Sequence, residues 1–557
     1  MAEKKVVIKD GSVLKIDMDG QFVERAIDNP LASFDPLSGM PESPQGLNEL
    51  LACIKSAKDD DRIKGIYLDG GLPLAGHATL KEFREALIDF KESGKFIYGY
   101  SEILTQKAMV VTSVADTFFV NPEGVVEWSG LSSSVMYYKD AMDKLGLKPV
   151  VLRATGNKFK SAVEPFLRQD MSPENREQLT VLLSSVWSDH LDAVSKSTGK
   201  SIEELNIDAD TLFIADPEHA AEIGLIKATG YYDQVLDILM SKTSVDKEDD
   251  IPFVSVRSYA SEAKLGEEEG YSKNKIAIIY AQGDIVDGEG GDYSIGSVPV
   301  SEAIRKARTN DKVKAIVLRV NSPGGSALAS EVIWREVDLA RKVKPVIASM
   351  GDVAASGGYY ISCYADTIIA QPNTITGSIG AFGLFFTAEE LLNDKLGVNI
   401  ETVKTNKHSD LGTIDRSLTP SEERMLVHQV DQIYGMFKER VAEGRGMTVA
   451  NVDSIGQGRV WSGRDALRLG LVDMLGGLDT AIAIAAKKAG VEDDYRIVEY
   501  PELEDPFTKI LKQITGDYET KMIKSKLGEY ARYFDIYENA QKMQGMQTRM
   551  EYDLIIE

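Results

Sequence analysis

Three short motifs in the second half of the chain hold the residue types that an acyl-transfer reaction needs. They are N-S-P-G-G-S (321–326), D-V-A-A-S-G-G-Y-Y (352–360) and T-G-S-I-G (376–380). Ser356 stands among alanines and glycines at a predicted strand-to-helix junction, where a helix start offers unbonded N–H groups. An exposed hydroxyl beside such groups suits a nucleophile next to an oxyanion hole. The alternative interpretation is a tight helix–sheet crossing, in which small residues only permit close packing.

A nucleophilic serine needs a base, and the histidines offer no obvious one. His190 lies in a polar helical stretch and is expected at the surface. His408, in N-K-H-S-D, is the histidine nearest in sequence to the three motifs. A lysine can serve instead when burial disfavours its charged form. Lys158 and Lys160 follow an apolar strand in T-G-N-K-F-K-S-A-V-E-P-F, although two solvated lysines at a strand end are the more ordinary interpretation.

These motifs are carried by an internal repeat. Residues 61–68 (D-R-I-K-G-I-Y-L) match 311–318 (D-K-V-K-A-I-V-L), and further blocks match in the same order at nearly the same spacing. Within each copy, short apolar β-branched runs alternate with helical stretches, which is typical of a parallel α/β sheet. We therefore predict two copies of one domain, each built as a repeated β-β-α spiral, because no nucleotide-binding glycine motif opens any of the helices.

The two copies differ at the positions that suggest chemistry. Where the second copy has glycines and serines, the first copy has other side chains. The matched pairs are Gly324 with Leu74, Gly325 with Ala75, Ser356 with Gln106, and Ser378 with Trp128. The first copy has therefore lost whatever the second copy does with these groups.

The motifs N-S-P-G-G, D-V-A-A-S-G-G-Y-Y, T-G-S-I-G and K-S-A-V-E-P-F resemble the signal peptide peptidase family, also called protease IV, in its long two-repeat bacterial form. The resemblance implies α/β domains of the Clp protease and crotonase superfamily in tandem. It also implies a serine peptidase with a Ser/Lys dyad, in which Ser356 is the nucleophile and Lys160 the general base. By the same resemblance Ser378 positions the lysine amine, and the N–H groups of Gly325 and Gly357 form the oxyanion hole.

One alternative base stays open. In short relatives of this family the lysine precedes a D-I-G-S-like string in the same copy as the serine, and the matching place here is Ser409. An ungapped register instead aligns Lys407 with Lys160, so Lys407 is a second candidate.

The predicted organisation has four parts. They are a first repeat that supplies the lysine (1–245), a linker (246–272), a second repeat that supplies the serine (273–495), and a helical tail (496–557).

The resemblance also implies partners and a location. Cleaved signal peptides would be the substrates, the chain would form a homotetramer, and an N-terminal anchor would hold it in the bacterial inner membrane with the catalytic part on the periplasmic side. The sequence has no run of about 18 apolar residues, so we expect that this anchor is missing from it. The net charge of −24 argues against a nucleic-acid partner. No cofactor or metal is expected.

Two other functions stay open at this point. A crotonase-like acyl-CoA enzyme would use the same oxyanion architecture without a nucleophilic serine. A non-catalytic scaffold would explain the degenerate first copy, although the complete serine and glycine set of the second copy argues against it.

Overall fold

The computed structural model describes residues 8–27, 44–211, 214, 216–263, 272–502 and 545–550. The chain divides into two compact units: the first comprises 1–131, 184–273 and 371–373, and the second comprises 132–183, 274–370 and 374–557. Residues 132–183, which belong to the first sequence copy, thus pack within the second unit. The predicted bounds of the repeats are the bounds of the two sequence copies, whereas these two units are defined by which residues pack together.

The strands of the described residues are ten residues long or shorter. They are β1 (Ser12–Asp17), β2 (Gly20–Val23), β3 (Gln45–Gly46), β4 (Ile63–Asp69), β5 (Pro73–Leu74), β6 (Phe96–Leu104), β7 (Thr117–Val126), β8 (Lys148–Arg153), β9 (Ala228–Thr229), β10 (Phe253–Ser255), β11 (Lys275–Gln282), β12 (Asp284–Val286), β13 (Ser294–Gly296), β14 (Val313–Ser322), β15 (Gly324–Ser326), β16 (Val346–Ala355), β17 (Thr367–Ala370), β18 (Ile375–Gly377), β19 (Phe382–Thr387), β20 (Val460–Ser462), β21 (Met474–Leu475), β22 (Arg496–Tyr500) and β23 (Gly545–Arg549).

Helices connect most of these strands. They are α1 (Leu47–Asp59), α2 (His77–Lys91), α3 (Gln106–Thr112), α4 (Lys139–Leu145), α5 (Glu164–Leu167), α6 (Pro173–Thr198), α7 (Ile202–Thr211), α8 (Pro217–Glu222), α9 (Tyr232–Thr243), α10 (Val256–Glu262), α11 (Ser297–Thr309), α12 (Ala327–Arg341), α13 (Gly357–Ser362), α14 (Pro420–Arg445), α15 (Val449–Ile455), α16 (Gly463–Arg468) and α17 (Leu478–Ala489). Within the described ranges no helix is both long and apolar enough to cross a membrane.

Each unit is centred on a parallel sheet, and the two sheets have the same strand order. In the first unit the order is β10-β1-β4-β6-β7-β9. In the second unit the corresponding path is β22-β11-β14-β16-β17-β21, and β18 and β20 extend the sheet from β16. Equivalent strands come in equivalent places along the two copies, which confirms the predicted repeat of one α/β domain.

Strand β14 shows why the strands of the central sheets are continuously apolar in sequence. Ile316, Leu318 and Val320 face one hydrophobic cluster, together with residues of α11 and α12. The alternate residues Ala315 and Val317 face another cluster, which is closed by α17. Because helices cover both faces of the sheet, both side-chain sets are buried and the polar alternation of an exposed strand is absent.

The second unit also contains a smaller sheet with the order β13-β12-β15-β23-β19-β8. Strand β8 pairs antiparallel with β19, and β23 lies between β15 and β19, antiparallel to both. The first unit has only the short counterpart β3-β2-β5. Among the described residues, the smaller sheet of the second unit therefore contains three strands, β23, β19 and β8, that have no equivalent in the three-stranded sheet.

Two predicted connecting segments contain strands of the sheets. The predicted linker (246–272) includes β10 and α10, and its residues 264–271 lie outside the described residues. The predicted tail (496–557) is β22 and β23 where it is described, so the expected helix is wrong at those two places. Its residues 503–544 and 551–557 lie outside the described residues.

Candidate active site

Ser356 lies at the sharp junction between β16 and α13. Its backbone has φ +53° and ψ −113°, a region that residues with a side chain rarely occupy and that costs about 1–3 kcal/mol. The Ser356 N–H donates to the Gly377 carbonyl at 2.8 Å, and its carbonyl accepts from the Tyr360 N–H at 2.8 Å. Its hydroxyl makes no capping bond to α13, unlike most serines that precede a helix. The strained backbone thus leaves Oγ available to a side chain from elsewhere.

That side chain is Lys160, in the loop that follows β8. Its Nζ lies 2.9 Å from Ser356 Oγ and 2.8 Å from Ser378 Oγ, and it donates to the Ser378 carbonyl at 3.0 Å. All three side chains have no solvent exposure. Burial of an amine disfavours its charged form, so the neutral form that can accept a proton is promoted here. The predicted serine, lysine and second serine are therefore in mutual contact within the second unit.

Ser378 contacts the lysine amine through two of its oxygen atoms. It follows β18 with a φ of +48°, and its N–H donates to the Arg459 carbonyl at 2.7 Å. This backbone bond orients both the hydroxyl and the carbonyl that the Lys160 amine contacts. Two oxygen partners on one residue restrict the amine to a small range of positions.

A loop at 456–459, which we name the backing loop, supports both partners. The Phe159 N–H donates to the Gln457 carbonyl at 2.9 Å, and the Gly458 N–H donates to the Ile379 carbonyl at 2.9 Å. Gly458 has φ +82°, and a methyl carbon built on it would lie 2.5 Å from Lys160 Cβ. The only signal of this loop in the sequence is the pair of glycines in G-Q-G-R, which is too weak to predict its role.

Arg459, the last residue of the backing loop, anchors this loop to its surroundings. Its guanidinium lies 4.7 Å from the centre of the Phe159 ring and 4.4 Å from that of Trp461, and it pairs with Glu177 at 2.8 Å. These contacts are of the cation–π and ion-pair types. They tie the chain on either side of Lys160 to the chain next to Ser378.

Of the two predicted oxyanion residues, Gly357 directly follows Ser356 and packs against Gly324, the neighbour of Gly325. Gly324 has φ +101°, which favours glycine, and a methyl carbon built on it would lie 2.6 Å from the Gly357 amide nitrogen. Gly325 is the next residue in β15, and Gly357 begins α13, where N–H groups have no partner within the helix. The glycine loop and the helix start are thus packed together, as two backbone donors for one oxygen require.

The alternative bases are placed elsewhere. Lys158 and Lys407 are exposed. His408 shares a hydrogen bond between its Nδ1 and Glu422 Oε1 at 2.9 Å, and its side chain is partly exposed. The structure thus brings Lys160, and neither histidine nor Lys407, to Ser356.

The expectation that His190 lies at the surface is wrong. His190 is buried, its Nε2 lies 2.8 Å from Nδ1 of His77 in the first unit, and burial lowers its pKa to about 3. Its neighbours in sequence are polar, but α6 turns this face inward. Among the described residues no cluster of histidine, cysteine or carboxylate side chains could hold a metal ion.

Comparison with known proteins assigns the class: the protein is a serine peptidase. It belongs to Peptidase family S49, whose model matches residues 89–246 and 338–492, one segment in each sequence copy. The chain is 36% identical over 516 residues to "Serine protease SPPA, chloroplastic" of Arabidopsis thaliana, a match that covers 91% of this chain and 74% of that protein.

Two bacterial proteins give similar matches. "Protease 4" of Salmonella typhi is 35% identical, with 84% of this chain and 76% of that protein covered. "Protease 4" of Haemophilus influenzae is 33% identical, with 89% and 82% covered. These matches confirm the predicted tandem fold and hydrolase class, and they favour neither the acyl-CoA enzyme nor the scaffold.

Proposed function

We propose that the protein is an endopeptidase with a Ser356/Lys160 dyad that degrades cleaved signal peptides through an acyl-enzyme. The observation that carries the proposal is the fully buried contact of 2.9 Å between Lys160 Nζ and Ser356 Oγ. A distance of this length is within reach for direct proton transfer. The lysine is the only amine among the candidate bases that reaches the serine.

Acylation begins when Ser356 Oγ attacks the carbonyl carbon of a peptide and its proton passes to the neutral Lys160 amine. The oxygen of the substrate becomes negative and is held by the N–H groups of Gly325 and Gly357. The C–N bond then breaks, and the proton on Lys160 passes to the leaving amine. Ser378 keeps the lysine amine between the two proton partners throughout.

Deacylation uses the same groups in the same order. The Lys160 amine, again neutral, takes a proton from a water molecule that attacks the ester carbonyl. The resulting tetrahedral oxygen is held by the same two N–H groups, and the Ser356 oxygen leaves with the proton from Lys160. One base therefore serves both half-reactions.

The substrate proposal is supported by the walls next to the dyad and by the resemblance in sequence. Phe382, Leu384 and Leu152 are buried apolar residues of β19 and β8 in the smaller sheet. An edge of a sheet with apolar neighbours binds an extended apolar peptide through main-chain hydrogen bonds. Signal peptides have an apolar central region. By the same resemblance we propose a location at the bacterial inner membrane, with the catalytic part on its periplasmic side.

We further propose that the chain self-associates as a homotetramer. Strand β8 of the first copy pairs with β19 of the second copy. The spacing of 250 that relates residues 61–68 to 311–318 places 398–403 at the position of β8 and 132–137 at the position of β19, yet both segments lack strand structure. Residues 398–403 expose Val398 (45%) and Val403 (98%). Pairing of 398–403 with 132–137 of another copy would cover these side chains and complete a second pair of the same kind.

The dyad is tested by labelling with a fluorophosphonate probe. The wild-type protein should be labelled, because the probe reacts with an activated serine, and Ser356→Ala should abolish both labelling and peptide hydrolysis. Ser409→Ala, at an exposed serine, is the matched control and should behave as wild type. Equal labelling of wild type and Ser356→Ala would overturn the proposed nucleophile.

The substrate class is tested with a synthetic signal peptide and a polar peptide of equal length. Hydrolysis of the signal peptide should proceed with the higher kcat/KM. A preference for the polar peptide would contradict the proposed substrate while leaving the dyad standing.

Self-association is tested by native mass spectrometry of the wild type and of Val403→Lys. The wild type should be tetrameric, and the charged substitution at this exposed apolar position should release smaller species. A tetramer unaffected by Val403→Lys would overturn the proposed pairing, and a monomeric wild type would overturn the homotetramer.

A further inference from the structure

Gln178 is a buried glutamine on α6 whose side chain contacts both sequence neighbours of the lysine. It is 1% exposed. Its Nε2 lies 3.1 Å from the Phe159 carbonyl oxygen and 3.0 Å from Ser161 Oγ. Phe159 and Ser161 directly precede and follow Lys160. One amide group therefore holds the chain on both sides of the proposed base.

The other end of the same amide contacts the chain that holds the second serine. The Val460 N–H donates to Gln178 Oε1 at 3.3 Å. Val460 directly follows Arg459, whose carbonyl accepts from the Ser378 N–H at 2.7 Å. The Gln178 amide therefore connects the segment that carries Lys160 to the segment that fixes Ser378.

The orientation of the amide is set by its partners. The Val460 N–H can only donate and the Phe159 carbonyl can only accept, so an amide turned the other way would lose both hydrogen bonds. Asn175 lies on the same face of α6, and its Oδ1 is 3.1 Å from Gln178 Nε2. Because the amide is planar and held at both ends, it keeps the two chain segments at one separation.

The matched position of the second copy has a methionine instead. Residues 171–177 match 418–424, and α6 begins at Pro173 as α14 begins at Pro420. This register places Met425, which is 40% exposed, at the position of Gln178. The buried amide is therefore particular to the copy that supplies the lysine, and the repeated fold does not require it.

From these contacts we propose that Gln178 is a positioning residue, whose amide keeps the Lys160 amine within reach of Ser356 and Ser378. The inference rests on the proposed function, because it assigns a role to the same dyad. Lys160 Nζ lies 2.9 Å from Ser356 Oγ and 2.8 Å from Ser378 Oγ. A shift of about 1 Å in a reacting group can lower a rate about a hundredfold, so the backbone that carries the amine must be held.

The experiment compares Gln178→Met with the wild type in the hydrolysis of a fluorogenic peptide. Methionine has a similar length, makes none of the amide hydrogen bonds, and is the residue that the second copy has here. We expect kcat to fall at least about tenfold and KM to change less than about twofold, because the amine is displaced and the substrate contacts stay. The rate of labelling by a fluorophosphonate should fall with kcat. A wild-type kcat, or a change confined to KM, would overturn the positioning role.

Gln106→Met is the matched control for the loss of a buried glutamine. Gln106 is 2% exposed, and both ends of its amide bond to Gly130 in the first unit. Both variants should lose thermal stability, and only Gln178→Met should lose activity when both are assayed well below their unfolding temperatures. An equal loss of activity in the two variants would show that lost stability is the cause, and the proposal would be wrong.

A double-mutant cycle with Ser161→Ala tests whether Gln178 acts through the neighbours of Lys160. Ser161→Ala alone should lower kcat by only about threefold, because the Phe159 carbonyl keeps its hydrogen bond to Gln178. Added to Gln178→Met, the same substitution should have almost no further effect, since the contact is already lost. Fully additive effects would contradict this route from Gln178 to the lysine.

The activity of the wild type separates a failure of this inference from a failure of the proposed function. If the wild type hydrolyses the peptide through Ser356 and Gln178→Met does so equally well, the positioning role is wrong and the dyad stands. If the wild type neither hydrolyses the peptide nor reacts with a fluorophosphonate, the proposed function itself is wrong.

Discussion

The strand-to-helix junctions after β6 and after β16 occupy the same place in the two repeats but use their hydroxyls differently. After β6, Thr105 has an ordinary extended backbone with φ −75°, and its Oγ1 accepts from the Ala108 N–H as a helix cap. After β16, Ser356 has φ +53° and makes no cap. In the first unit the hydroxyl stabilises a helix, whereas in the second it contacts Lys160.

The residues matched to the two serines extend this contrast. Gln106, which matches Ser356, donates to the Gly130 carbonyl at 2.7 Å and accepts from the Gly130 N–H at 3.1 Å. Trp128, which matches Ser378, donates to the Leu205 carbonyl at 2.9 Å. These polar groups are committed to local structure. The comparison teaches that the shared fold alone does not make a junction reactive. In the second junction the Ser356 hydroxyl makes no helix-capping hydrogen bond and contacts Lys160 instead.

The largest effect is expected from removal of the lysine. Lys160→Ala should lower kcat/KM for peptide hydrolysis by a factor of at least about 10³, because Lys160 Nζ is the basic group that contacts Ser356 Oγ. The measurement is hydrolysis of a fluorogenic peptide. Lys158→Ala, two positions away and exposed, is the control and should retain wild-type activity. An active Lys160→Ala protein would show that Ser356 does not need this lysine, and the proposed difference between the two junctions would be wrong.

The pH profile of the wild type also tests whether Lys160 is the base. The base must be neutral, so protonation of Lys160 inactivates the enzyme and kcat/KM should rise as pH rises. Burial disfavours the charged form of this amine. We expect about tenfold per pH unit on the acidic limb, measured as initial rates from about pH 5 to 9. A flat profile over this range would contradict a lysine base.

An intermediate effect is expected at the backing loop. In Gly458→Ala the new methyl group meets the Lys160 backbone and Cβ, so the amine shifts and kcat should fall at least tenfold with little change in KM. The pH profile should change too, which loss of stability alone would not cause.

Gly412→Ala is the matched control for Gly458→Ala. Gly412 has φ +89° with nothing within 4 Å of an added carbon, so it shares the backbone strain of about 1–2 kcal/mol without the clash. Both variants should lose thermal stability, Gly458→Ala more because of the clash, and only Gly458→Ala should lose activity. Equal activities would show that the backing loop does not position the lysine.

The smallest effect on catalysis is expected in the first unit. Gln106→Ala removes a buried amide that satisfies both polar groups of Gly130, so the free energy of unfolding should fall by about 1–3 kcal/mol. Peptide hydrolysis should be unchanged. Thermal unfolding and the fluorogenic assay together check this. A large loss of activity with unchanged stability would mean that the first junction is functional.

Much of the candidate site could be predicted from sequence because its residues lie in compact motifs. Ser356 and Ser378 were found from their small neighbours and from the contrast with the first copy. Lys160 needed the family resemblance, since a lysine at the end of a strand is ordinarily solvated. Its burial depends on β8 pairing with β19, a contact between residues more than two hundred positions apart.

The parts that sequence did not reveal depend on such distant contacts. The backing loop contacts the candidate site through backbone groups and the space beside Gly458, and Arg459 anchors it. Residues 545–549 read as part of a polar helical tail, but two existing strand edges override that local preference. His190 was misplaced because a polar stretch of helix can still turn one residue towards the core.

The 196 positions between Lys160 and Ser356 also impose an order on synthesis. A ribosome makes the lysine first, the serine much later, and Arg459 of the backing loop later still. No nascent chain that stops before this loop contains every group that holds the reaction centre. Newly made protein is therefore kept from attacking its neighbours until translation has passed through most of the second repeat.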